Sequence, residues 1–183
     1  MSDYKVVHGA KVQNIAGDPP APFSGQVWYN DSSNSLKYSF VNPGSWASGG
    51  NLNTARNQLA GTGTQTAALA IGGSVSPLAQ NELYNGSAWT ELNDLNTGRS
   101  SLGASGTSTA ALAFGGFNAS DPQTRDDTET WNGTNWTEVN NLNTERNLIS
   151  GCGTNTAALG FGGVPNRNET ELWNGTNWTE VNN

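Results

Sequence analysis

The sequence predicts an all-β repeat array, and three observations carry that expectation: a fixed Trp-to-Arg frame, recurring Gly-Gly pairs and Asn-Gly hairpin signals. Trp46, Trp89, Trp136 and Trp178 mark successive units. Arg56, Arg99 and Arg146 each follow a Trp by ten residues, and Gly73, Gly116 and Gly163 each follow an Arg by seventeen. Glu82, Glu129 and Glu171 each precede the next Trp by seven, so only the Gly-to-Glu stretch changes length, at nine, thirteen and eight residues. A repeat of roughly 40–50 residues with aromatic and Gly-Gly punctuation is the mark of a propeller-type array.

Each unit reads as four short strands. In the unit beginning at Arg99, residues 102–108 are rich in Gly, Ala and Ser, which suits an inner strand crowded near an axis. Residues 109–116 form a second strand closing on Gly115-Gly116: the Ala content favours helix, but flanking glycines and a short apolar stretch outweigh that propensity. The third and fourth strands flank Asn132-Gly133-Thr134-Asn135, where Asn and Gly both tolerate positive φ. The hairpin uses either a two-residue turn or a four-residue loop, and side-chain parity puts Trp131 and Trp136 on one face in both cases. Trp173 and Trp178 repeat this pair in the last unit.

The same parity places Glu129 and Glu138 on the tryptophan face, opposite one another in the four-residue register, which is unfavourable for like charges. The arginine that recurs once per unit is the expected counter-charge, from its own or an adjacent unit. Arg56, Arg99 and Arg146 with Glu82, Glu129 and Glu171 therefore read as a repeated, partly buried structural clamp rather than as catalytic groups.

Residues 1–24, ending in a Pro-rich joint, read as an extended arm or anchor; residues 4–15 alternatively supply a missing inner strand. Residues 25–55 read as a divergent part-blade, with strands on either side of residues 31–34 and Trp46 in the place of a fourth strand. Residues 56–183 hold three full units. Arrays of this kind close with about 4–8 blades, so closure within one chain and closure between two chains both stay open.

Composition narrows function. A net charge of −7 disfavours sequence-independent nucleic-acid binding, which needs a basic surface. No apolar run approaches the ~20 residues of a membrane-spanning helix, so no membrane insertion is expected, and the start of the chain lacks a secretory pattern. The single cysteine, Cys152, allows no intrachain disulfide and reads as a small residue filling a tight strand slot. One histidine, His8, supports neither a nucleophilic triad nor a zinc site, and no phosphate-binding loop is present, so no cofactor and no metal are expected. The sequons at Asn85, Asn132, Asn135, Asn174 and Asn177 follow from turn chemistry.

The variable connector after each Gly-Gly is the candidate contact surface, because insertions in repeat scaffolds map to loops on one face. The longest carries Phe117, Asp121, Arg125, Asp126 and Asp127, an aromatic among polar groups suited to a sugar or a protein surface.

The Gly-Gly, aromatic and Trp pattern resembles kelch-type β-propeller repeats over about two thirds of the chain. The Asn-Gly-Thr-Asn hairpin, the Leu-Asn-Thr-x-Arg lead-in ending at Arg56, Arg99 and Arg146, and the opening Asp-Tyr-Lys-Val-Val-His-Gly-Ala-Lys-Val-Gln and Gly-Gln-Val-Trp-Tyr-Asn are similar to kelch-like proteins of marine tailed bacteriophages. The resemblance implies a kelch-like β-propeller array of four-stranded blades, three full units and one divergent N-terminal unit, with an extended arm. It also implies a non-enzymatic virion component: a tail fibre, a spike, or a head fibre or decoration protein. Such a protein is made in the host cytoplasm and carried on the particle. Its partners are other virion proteins through the arm, further copies of itself, and a host-surface glycan or protein. The oxidase branch of the kelch proteins needs histidines that this chain lacks. Two other readings remain at this stage: a glycan-cleaving enzyme, which needs a unique pair of carboxylates ~5–10 Å apart, and an intracellular adaptor.

Overall fold

A computed structural model describes residues 13–20, 26–39, 46–74, 79–118, 123–164 and 168–181. The chain divides into two units, Met1–Ser48 and Gly49–Asn183. Every regular element among the described residues is a strand.

In the first unit, β1 (Gln13–Ile15), β2 (Val27–Asn30) and β3 (Ser35–Tyr38) form one sheet in that order, with β1 parallel and β3 antiparallel to β2. The two strands expected around residues 31–34 are present. Among the described residues the expected fourth strand is not: Trp46 lies outside any strand and is fully exposed, at 104%. The frame explains the difference, since Ser39 stands seven residues before Trp46 where the other units have Glu, and Val41 stands five before it where they have Tyr or Trp. Neither the clamp nor the aromatic pair is encoded there. Asp18 Oδ1 instead accepts hydrogen bonds from the buried Trp28 Nε1 at 3.1 Å and from Asn30 Nδ2 at 2.6 Å.

The second unit contains three four-stranded antiparallel sheets in simple up-and-down order. The first repeat sheet holds β4 (Ala60–Thr64), β5 (Ala67–Ile71), β6 (Asn81–Tyr84) and β7 (Trp89–Glu91). The second holds β8 (Gly103–Gly106), β9 (Ala111–Asn118), β10 (Gln123–Trp131) and β11 (Trp136–Val139). The third holds β12 (Ser150–Gly153), β13 (Ala158–Phe161), β14 (Thr170–Trp173) and β15 (Trp178–Val181). Among the described residues no closed propeller forms.

The core sits between consecutive sheets, and the middle sheet has a neighbour on each side: β9 is buried on both faces and alternates its side chains between the two. On β9, Ala111 and Ala113 join Leu69, Ile71, Leu95, Leu102, Trp131 and Trp136 on one side. Leu112 and Phe114 join Leu142, Ile149, Ala158, Trp173 and Trp178 on the other. The second and third sheets thus each present an indole pair to the sheet before them, and the first and second each present an aliphatic or phenyl surface to the sheet after them. Phe114 meets Trp178 edge-on at 4.9 Å between ring centroids. Gly151 makes room for that phenyl ring: a Cβ there would run into the Phe114 ring edge.

Inner strands are also stitched to each other. Thr62 Oγ1 donates to Gly106 O at 2.7 Å, and Ser105 Oγ donates to Thr154 O at 3.2 Å. Gly73 N–H donates to Arg99 O at 3.0 Å and Gly116 N–H to Arg146 O at 2.9 Å, so the first two Gly-Gly pairs each join their sheet to the next. Gly116 has φ +113, where a Cβ would lie 2.8 Å from Ser100 O, which is why glycine stands at this junction.

Candidate surface-contact site

One carboxylate and the Asn and Arg of the lead-in build the hub that holds each repeat, joined by a Thr in the first two. Glu129 and Glu138 are direct cross-strand partners, and Trp131 pairs with Trp136, so the hairpin uses the four-residue loop. Asn132 Oδ1 closes that loop by accepting from the Thr134 and Asn135 N–H groups at 2.9 Å each. Glu138 is exposed, while Glu129 is buried and needs compensation. It receives it from Arg99 NH1 at 3.0 Å, from the Asn96 backbone N–H and side-chain amide at 2.8 and 2.9 Å, and from the Thr97 N–H at 3.3 Å.

The same hub recurs. Arg56 NH1 lies 3.0 Å from Glu82, and Arg146 NH2 lies 2.7 Å from Glu171. Asn53 and Asn143 donate their backbone N–H groups to those carboxylates at 2.7 and 2.8 Å. In every case the Arg and Glu come from the same repeat. Burial pushes the Arg99 guanidinium's pKa down, and the neighbouring Glu129 and Asp127 carboxylates oppose that shift. Sequence reasoning named the Arg and Glu but missed the Asn, whose signal was its recurrence in all three lead-ins. It also missed Asn93 and Asn140, each four residues after a Trp, which grip the next hairpin loop through Asn135 Oδ1 and Asn177 Oδ1 at 2.8 Å.

The longest connector is a hairpin rather than an open loop. β9 and β10 are the two longest strands, and they continue past the Gly-Gly pair with Gln123 opposite Asn118, Thr124 opposite Phe117 and Arg125 opposite Gly116. A register shift between Arg125 and Thr128 sets Asp126 and Asp127 against the single residue Gly115, a bulge of one extra residue. Phe117, Arg125, Asp126 and Asp127 are all half-buried, and Asp121 lies outside the described residues. Arg125 Nε and Asp127 Oδ2 stand 3.8 Å apart.

This bulge is bound to the lead-in of the following repeat. Leu142 N–H donates to Asp126 O at 3.0 Å, Arg146 N–H donates to Arg125 O at 3.1 Å, and Asn141 Nδ2 donates to Asp126 Oδ1 at 3.3 Å. Phe117 exchanges backbone hydrogen bonds with Ser100. The structure therefore places Phe117 and Arg125 on one hairpin but, by the alternation of the pairing, on opposite faces of it, with Asp126 and Asp127 at the bulge. Among the described residues no cluster of three or more His, Cys, Asp or Glu side chains is placed to hold a metal ion.

No protein-family model matches the sequence, and no curated protein matches it.

Cys152 departs from its expected place. It occupies the position of Thr62 and Ser105 but is exposed rather than packed in a slot. The reason is positional: those two hydroxyls donate to a following sheet, whereas among the described residues no sheet packs beyond the one that carries Cys152.

Proposed function

We propose that this protein is a non-enzymatic bacteriophage virion structural component, a tail fibre, spike, or head fibre or decoration protein, built as a kelch-like β-propeller array. One observation supports the non-enzymatic part most directly. The recurring buried carboxylates Glu82, Glu129 and Glu171 are each engaged by an Arg and by lead-in amides of their own repeat. Groups equivalent in three places and consumed by backbone amides serve the frame, whereas a glycosidase needs one unique pair with a free acid and base. The β9–β10 hairpin, with Phe117 and Arg125 on it, is the surface offered to a host glycan or host protein. The N-terminal arm links the protein to other virion proteins.

Mass spectrometry of purified particles tests this reading. The protein is expected among the particle components at a defined copy number. Its recovery only with soluble host proteins would replace the virion role with that of an intracellular adaptor.

A further inference from the structure

The two outward faces of the three-sheet unit are the two halves of an interface that the chain already makes twice. Between the first and second repeat sheets, Leu69 and Ile71 of β5, Leu83 of β6 and the nearby Leu92 receive the Trp131–Trp136 pair. The third repeat carries the same surface at the same spacing: Leu159 and Phe161 stand thirteen and fifteen residues after Arg146, as Leu69 and Ile71 do after Arg56. Leu172 and Val181 take the places of Leu83 and Leu92.

Burial separates the two ends of the series. Leu69 and Ile71 are 1% and 0% exposed, whereas Phe161, Leu172 and Val181 are 40%, 42% and 37% exposed. A shallow apolar groove lined by Cys152, Leu159 and Leu172 opens on this face. At the other end, Tyr84 and Trp89 form the same aromatic pair, 5.1 Å between centroids, and both are only half-buried. Leu52 and Leu59 stand beside them in the frame where buried Leu95 and Leu102 stand in the next repeat, and both are half-buried as well.

We infer that the open face of the third repeat sheet, Leu159, Phe161, Leu172 and Val181, receives the Tyr84–Trp89 face of a second copy of this chain. The contact continues an interface already made within the chain, and a sheet face and an aromatic pair that each match a buried counterpart are complementary to one another. Such a contact is heterologous, joining different faces, and it closes only if its rotation completes a circle. Two copies contribute six of these sheets, three from each chain, within the range of about 4–8 at which such rings close. The pair therefore closes with two identical junctions. The inference rests on the propeller part of the proposed function and not on the virion part: absence from particles leaves it standing, and a monomeric chain leaves a particle location standing.

The test uses the full chain in sedimentation equilibrium and thiol alkylation. The expected species has twice the 19.2 kDa chain mass, with Cys152 slow to react with iodoacetamide. Phe161→Asp, which alters an exposed side chain, is expected to give a monomer with unchanged far-ultraviolet circular dichroism and fast Cys152 alkylation. Trp89→Arg is expected to give a monomer from the opposite face. A wild-type monomer with protected Cys152 would overturn the inference in favour of cover by the chain's own N-terminal segment. A dimer that survives Phe161→Asp would place association elsewhere, and a ladder of longer species would rule out the closed pair.

Discussion

Glu129 shows how a single residue is forced into its role. Buried opposite Glu138, it is stable there only because Arg99 and two lead-in residues saturate both of its oxygens. Replacing one partner of a buried ion pair costs about 3–5 kcal/mol, because the other charge is left uncompensated. Glu129→Gln also turns amide hydrogens toward one of the two N–H groups, that of Asn96 or that of Thr97, which bond to different carboxylate oxygens. The urea midpoint of this variant is expected to fall by an amount equivalent to that loss. An unchanged midpoint together with disappearance of a hydrolase activity would reverse the assignment.

Asp18 works differently, at the surface of the N-terminal unit. The side-chain hydrogen bond from Asn30, then that from Trp28, hold its carboxyl below the ordinary value of 3.8. A carboxylate with a depressed folded pKa contributes stability above its unfolded value and loses it as pH falls through the folded value. The Trp28 indole N–H resonance is therefore expected to shift on acidification below 3.8. In Asp18→Asn, which keeps an acceptor that does not titrate, that acid shift is expected to vanish.

Among the elements, β9 and β13 carry the same pattern with opposite consequences. Phe114 and Phe161 share one position in the frame, yet Phe114 is 0% exposed and Phe161 is 40% exposed. Phe114→Ala removes a ring packed on Trp178 and opens a cavity, a loss of about 3–5 kcal/mol. Phe161→Ala, measured at concentrations where the chain is monomeric, is expected to change stability by only about 0.5 kcal/mol or less. Thermal unfolding of the two variants checks the contrast, and equal losses would show that the third sheet is covered within the chain. The hairpin between β10 and β11 illustrates what an element's sequence leaves open. Parity put both indoles on one face under either turn, and only the pairing of Trp131 with Trp136 selected the longer loop.

For the molecule as a whole, most of the architecture was legible because it is repeated. Strand number, order and the Arg–Glu pairing follow from a frame read three times, and each reading constrains the others. The N-terminal unit was less legible for the same reason. With no second copy to compare, Trp46 resembled a fourth strand, although the Glu and the aromatic partner that make such a strand pack are missing from its vicinity. The connector carrying Phe117 and Arg125 read as a loop because inserted residues look alike whether they extend a hairpin or leave it. Pairing across to β9 distinguishes the two, and that pairing is a contact between strands.

By itself, then, the order of residues determined which segments are strands, which faces are apolar and which charges must meet, since all of these depend on spacing within one repeat. Which faces are covered was decided only by the tertiary structure. Burial of Leu69 or exposure of Phe161 depends on whether another sheet follows, and a repeat frame reads the same at its end as in its middle.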